Sequence, residues 1–424
     1  MKFNQTTLPN GLKIITIPLH DAPTVTVLVM VETGSKYETK NINGLSHFLE
    51  HMCFKGTKKR PSALVISHEL DALGAQSNAF TSQEFTGYFA KAHKKHFLTL
   101  LDVVSDIYLN PVFNEKEIEK EKGVIIEEIN MYQDMPQRHI YDLFFELLYG
   151  DQPAGWPIAG PKENIRILSR KDFIDYRAAH YVASGTAVIV AGNINEEETK
   201  EHIVRLFSAI PATPKEDKKP VVEKQEKPEI LVKHKDTDQT HLMLGVRAFP
   251  IHHPDAPTLR VLSTILGGGM SSRLFQKLRE QMGVAYYARS EADFYTDHGH
   301  LAITTGVDKK RVEEVLSEIL QELDRLKKEP VPQKELDKAK DYLVGTMYLE
   351  LESSDSIAEY YGYQNALRRP LQTPEEFADK IKAVTAEDII RVAKDIITNS
   401  RLNCAVIGDI SSPDMLREKL VLPS

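Results

Sequence analysis

The chain has 424 residues, 42% hydrophobic and 27% charged, with 53 basic against 61 acidic side chains and a formal net charge of −8. That length predicts two to four domains with buried cores, and the acidic balance gives nucleic acid or an anionic membrane no electrostatic reason to bind. Two cysteines, Cys53 and Cys404, exclude a disulfide framework and fit a reducing cytoplasm. No apolar run at the start has signal length, and none elsewhere reaches the ~18 residues of a membrane span.

Thr7–Pro18 predicts strand with a turn at Pro9-Asn10-Gly11, and Thr24–Thr33 a second strand, because both alternate and carry many β-branched residues. Helical periodicity follows over Gly44–Lys55, Ser62–Leu73, Lys94–Leu109 and Glu115–Tyr132. Strands joined through intervening helices predict an α+β fold with mostly antiparallel sheets. Residues 211–228 then hold four prolines and nine charges. Such a segment buries too little apolar surface to fold, and it reads as a linker.

The two sides of that linker resemble each other. Ala187–Ile194 closes the first and Cys404–Ile410 the second, with Gly192 and Gly408 standing 216 apart. The same offset pairs Thr24–Val31 with Thr240–Arg247, and the helix around His47 with that around Ser263. Ordered pairings at one offset predict a duplication. The expected organisation is therefore a first domain over 1–210, the linker over 211–228, and a homologous domain over 229–424.

Chemistry concentrates in Gly44–Phe54, GLSHFLEHMCF. His47 and His51 are four apart, so one helix face carries both imidazoles a turn apart, and Glu50 joins that face. Leu45, Leu49 and Met52 fall on the opposite side. Two such imidazoles can hold one Zn²⁺, with the carboxylate in reach of a neighbouring water. The order H-x-x-E-H is the inverzincin arrangement. A third ligand should come from another element. In Glu115–Tyr132, Glu121 and Glu128 lie two turns apart on one face beside Ile118 and Ile125, while Glu127 points elsewhere. Carboxylates on an apolar stripe are costly unless they meet a cation.

With these residues in view, the chain resembles the pitrilysin and insulin-degrading-enzyme family of zinc peptidases, closest to the mitochondrial-processing-peptidase-like bacterial subfamily. Leu8–Leu12 is similar to the family's opening hairpin, and Gly44–Thr57 to its zinc helix. The resemblance implies one Zn²⁺ per chain held by His47, His51 and Glu128, with Glu50 as general base and Glu121 as supporting acid. Ser77–Phe89 looks like the family's edge strand, which implies peptide binding at Asn78 and Ala79 by strand addition. Leu278–Tyr287 looks like a second-domain segment reaching substrate, which implies roles for Arg279 and Tyr286, with Tyr287 as competitor.

The implied activity is a zinc metalloendopeptidase cleaving unfolded peptides or presequence-like segments. The long family members enclose substrate with four domains, so two copies of this chain would be needed, a homodimer with no nucleic-acid or membrane partner. The alternative is a non-catalytic peptide-binding or scaffold homologue of the processing-peptidase or core-subunit type. Such chains lose zinc-motif residues, and this one keeps all of them.

Overall fold

The computed structural model describes residues 2–410 and 413–423. Two sheets dominate. The first has the strand order β1-β2-β6-β3-β5-β4, built from β1 Asn4–Thr7, β2 Lys13–Pro18, β3 Thr24–Val31, β4 Gln76–Thr81, β5 Thr86–His93 and β6 Thr186–Gly192. The second is β7-β11-β8-β10-β9, from β7 Glu229–His234, β8 Thr240–Ala248, β9 Ala285–Phe294, β10 Gly299–Val307 and β11 Leu402–Gly408. Without β1, the two orders are the same. Each sheet has one parallel pair, β2 with β6 and β7 with β11, and is otherwise antiparallel. The fold is α+β, as expected.

The duplication is visible in atomic detail. β6 ends at Gly192 and β11 at Gly408, both at positive φ. A Cβ on Gly192 would stand 2.5 Å from the Thr24 carbonyl, and one on Gly408 would stand 2.4 Å from the Thr240 hydroxyl. The partners Thr24 and Thr240 keep the same offset as the glycines.

The compact units do not follow the linear division at 211–228. The first comprises Met1–Ile129, Trp156–Lys219 and Tyr348–Pro374, and the second Asn130–Gly155, Pro220–Met347 and Glu375–Ser424. Each half of the sequence thus lends a helix to the other half's sheet. Helix Ser354–Ala366 lies on the first sheet, where Thr26 Oγ1 meets Ser354 Oγ at 2.8 Å and Lys91 pairs with Asp355 at 2.7 Å. Helix Pro136–Tyr149 packs Phe144 and Leu148 on Met243, Ala302, Ala405 and Ile407 of the second. These helices occupy equivalent positions in the repeat.

Within the first unit the sheet has two distinct faces. Val25, Val27, Val29 and Val31 enter a core with Leu45, Phe48, Leu49 and Met52, and with Val103, Val104, Ile107, Ile118 and Ile125. Leu28 and Met30 point the other way, under Gly362 of the lent helix. A β-strand alternates its side chains, so one valine-rich strand serves both layers.

Residues 211–228 form no helix or strand. Their charges are nonetheless not simply solvated. Lys215 Nζ sits 4.1 Å above the Tyr37 ring and 3.5 Å from Glu32, and Asp217 takes Arg368 at 2.7 Å. The stretch up to Lys219 is strapped to the first unit. Among the described residues, no helix is long and apolar enough to cross a membrane.

Candidate metal centre

The histidine helix runs Leu45–Cys53 and starts from Gly44 at φ +101°. Gly44 has no side chain to cap the helix, and the orphan N–H groups of a first turn need acceptors. Glu38 supplies them. Its Oε2 accepts from Gly44 N at 2.8 Å and from Asn43 Nδ2 at 2.9 Å, and its Oε1 from Ser46 N at 2.6 Å. Glu38 is 4% exposed, and burial pushes its carboxyl up to about 7 against the pull of those donors. Ser46 Oγ also meets Tyr176 Oη at 2.7 Å.

Leu45, Leu49 and Met52 enter the core, which leaves His47 and His51 on the other face with ring centroids 4.7 Å apart. Helix Glu115–Asp134 buries Ile118, Ile125 and Ile129, and the same packing presents Glu121 and Glu128 to the histidines. Glu128 Oε2 lies 3.7 Å from His47 Nε2 and 3.6 Å from His51 Nε2. Glu127 is exposed. Glu121 stands behind, with Oε1 2.9 Å from His51 Nδ1 and Oε2 2.6 Å from Lys55 Nζ.

Electrostatics separate the two imidazoles. Burial, then the neighbouring His51, lowers His47 to about 4. Burial would lower His51 too, but the hydrogen bond to Glu121 and the charges of Glu50 and Glu128 outweigh it and His51 is raised. Glu121 is held below the usual carboxylate range by His51 and Lys55, against its burial. His47 Nδ1 is buried and makes no hydrogen bond.

Glu50 sits beside this cluster. Burial raises its carboxyl, opposed by the Thr81 hydroxyl, which donates to Oε2 at 2.5 Å. Thr81 belongs to β4, the edge strand of the sheet, so a free strand edge lies next to the candidate base. Asn78 is exposed there, and its Oδ1 accepts from Ala79 N at 2.9 Å. The side chain thereby occupies a donor that an incoming strand would use. Cys53 is buried against Tyr88 at 3.6 Å and pushed up to about 12 by burial, an inert thiol rather than a ligand.

Arg279 and Tyr286 belong to the second unit and meet each other, the guanidinium carbon 5.4 Å from the Tyr286 ring centroid. Arg279 lies in Phe275–Gln281, wound as a π-helix, a form that recurs at functional sites. On β10, Gly306 faces Tyr287 and Val307 faces Ala285, so Tyr286 is the extra residue of a bulge. Bulges re-aim side chains. Tyr286 is 74% exposed, whereas the Tyr287 hydroxyl is engaged by His241 Nδ1 at 2.9 Å.

Motif and spacing alone do not single out Glu38, Lys55, Thr81 or Tyr176 as parts of the site. Glu38 and Tyr176 lie outside the recognised segments, Lys55 lies within Gly44–Thr57, and Thr81 lies within Ser77–Phe89, where only Asn78 and Ala79 are singled out.

The donors of His47, His51 and Glu128 all lie within 4.8 Å of one another. Ligand atoms on one tetrahedral Zn²⁺ stand about 3.3 Å apart, close to the separations from Glu128. Two imidazole nitrogens and one carboxylate oxygen are one donor set of catalytic zinc sites, which keep one position open. The residues fit the ion.

The order His47-x-x-Glu50-His51 is the inverzincin arrangement, and here it sits in one half of a duplicated α+β fold. Residues 13–162 match the family described as Insulinase (Peptidase family M16), and 168–343 match Peptidase M16 inactive domain. A Bacillus subtilis protein described as the uncharacterized zinc protease YmxG is 36% identical over 399 residues, 92% of this chain and 95% of its own. An uncharacterized zinc protease of Rickettsia bellii is 34% identical, over 96% of this chain and 97% of its own. A protease from Helicobacter pylori with a crystal structure superposes with a TM-score of 0.89 at 25% identity, over 96% of this chain and 99% of its own. The chain belongs to peptidase family M16, the pitrilysin family. At the repeat offset, the second half places Ser263, Leu266 and Gly267 where the first has His47, Glu50 and His51. The description "inactive" thus falls on a segment without the ligand set.

Proposed function

We propose that the chain is a zinc-dependent endopeptidase acting on unfolded peptides or presequence-like segments. The convergence of His47, His51 and Glu128 on one point, with Glu50 beside it, carries this reading. His47, His51 and Glu128 would hold one Zn²⁺ per chain, which supplies Lewis acidity toward water and a scissile carbonyl. Glu50 is the general base. A carboxylate with a raised pKa accepts the proton of the attacking water and passes it to the leaving amine. Thr81 fixes which way that carboxylate points.

Substrate pairs in extended form with the β4 edge, where Asn78 turns aside and releases the Ala79 N–H. An unfolded segment offers such a free strand most readily, which favours unfolded peptides as substrates. Tyr286 donates to the developing oxyanion and Arg279 positions the peptide. Their exposure and mutual contact support that pairing. A second copy of the chain supplies them in a homodimer.

The test is cleavage of a peptide library by zinc-loaded protein, with the Glu50→Gln variant as blank. General-base loss is worth about 10²–10⁴ in rate. Equal cleavage by both proteins would remove Glu50 from the reaction, and no zinc-dependent cleavage by the native chain would overturn the proposal.

A further inference from the structure

The two histidines of the cluster are held in different ways. His51 is aimed by a partner on another helix, since Glu121 Oε1 is 2.9 Å from its Nδ1. His47 has no such partner. Its Nδ1 is buried without a hydrogen bond. Metal-binding imidazoles are ordinarily oriented through their second nitrogen, and losing that contact costs about 10–100-fold in affinity. With no second hydrogen bond, the aim of His47 rests on its backbone and on the packing of its ring.

His47 is the third residue of its helix, within the first turn. First turns fray unless their N–H groups are satisfied. This one begins at a glycine that provides no capping oxygen. The Glu38 carboxylate takes the Gly44 and Ser46 N–H groups from outside the helix, one on each oxygen. It also takes Asn43 Nδ2, which in turn donates to the Pro157 carbonyl at 3.1 Å. Tyr176 adds a second tether at Ser46 Oγ, and its own hydroxyl is fixed by Thr33 Oγ1 at 2.8 Å and the Gly34 carbonyl at 3.2 Å. A carboxylate at a helix N-terminus is also favoured by the helix dipole.

We propose that Glu38 is the positioning residue for His47: by clamping the first turn of the histidine helix it does for His47 what Glu121 does for His51. The inference rests on the zinc-peptidase reading, but it concerns metal affinity and is tested without catalysis. Glu38 touches neither metal nor substrate. Its effect passes through the backbone of residues 44–46, so it should reach His47 and leave His51 in place.

The experiment is a double-mutant cycle in zinc affinity, read by chelator competition on the metal-stripped full chain. Glu38→Gln keeps the shape but turns an amide NH₂ toward a backbone donor. It should weaken Zn²⁺ binding about 10-fold or more. In a His47→Ala background the same change should have little further effect, because the group it positions is already gone. A general loss of structure would instead lower affinity in both backgrounds. Tyr176→Phe removes only the second tether and should give a smaller loss in the same cycle, which serves if Glu38→Gln fails to fold. Nitrogen-15 spectra of the histidine side chains add an independent readout. The His47 signals should broaden in Glu38→Gln while those of His51 stay sharp. Unchanged zinc affinity in the single variant, or equal losses with and without His47, would overturn the inference. A native chain that binds no zinc at all would overturn the reading beneath it.

Discussion

Replacing Glu121 tests the metal centre most sharply, because the structure separates its charge from its hydrogen bond. Glu121 is 4% exposed and bridges His51 Nδ1 at 2.9 Å and Lys55 Nζ at 2.6 Å. A hydrogen bond to a charged group contributes about 1.5–3 kcal/mol. At 1.4 kcal/mol per tenfold, losing it entirely in Glu121→Ala should weaken zinc binding roughly 10–150-fold. Glu121→Gln retains a carbonyl oxygen that can still accept from His51 Nδ1. It loses the charge assistance, about half the strength, so the expected loss is roughly 3–10-fold. Chelator-competition titration at neutral pH measures both. Glu119→Gln is the control, since Glu119 is an exposed acid of the same helix paired with Lys122. Three outcomes would refute the reasoning: native affinity in Glu121→Ala, a reversed order of the two variants, or an equal loss in the control.

Glu128→Gln should lower zinc occupancy by removing an anionic donor, while Glu127→Gln should not; equal metal content by elemental analysis would identify the wrong glutamate. His180, 4% exposed, is lowered to about 4 by burial and then by the charge of Lys215. The unfolded chain takes up its proton near 6.5 and the folded one near 4, so stability from neutral His180 is present above 6.5 and lost as pH falls toward 4, by about 3 kcal/mol. Denaturant midpoints at pH 7 and 4.5 should therefore fall less in His180→Gln than in the native chain, and parallel falls would contradict this. For the homodimer, Glu50→Gln and Tyr286→Phe chains refolded together should form about half mixed dimers, each with one intact composite site, and recover about a quarter of native activity. No gain over the average of the separate variants would show that Tyr286 acts within its own chain.

The histidine helix was legible because short-range periodicity fixes it. Three apolar residues on one side leave His47, Glu50 and His51 on the other, whatever the rest of the chain does. Glu121 and Glu128 were legible for the same reason, as carboxylates on an apolar stripe. Tyr286 and Tyr287 could not be separated by spacing alone, since the distinction is a bulge opposite Gly306 and Val307. Glu38 was invisible because the helix groups it holds, at Gly44 and Ser46, are backbone N–H groups, which every sequence has. Thr81 came from a strand 31 residues from Glu50, a pairing no local pattern encodes. The linker's composition predicts a segment too polar to fold, and only tertiary structure shows Lys215 placed over Tyr37.

The lent helix sets a timetable for synthesis. Every strand of the first sheet has been made once Gly192 is complete, yet Leu28 and Met30 wait for Ser354–Ala366. About 170 residues separate the two events, roughly 10–35 s at ordinary translation rates. During that interval a finished sheet presents an uncovered apolar face. A fragment ending near residue 210 would keep that face open permanently. It should aggregate or be held by a chaperone, although it contains every candidate zinc ligand.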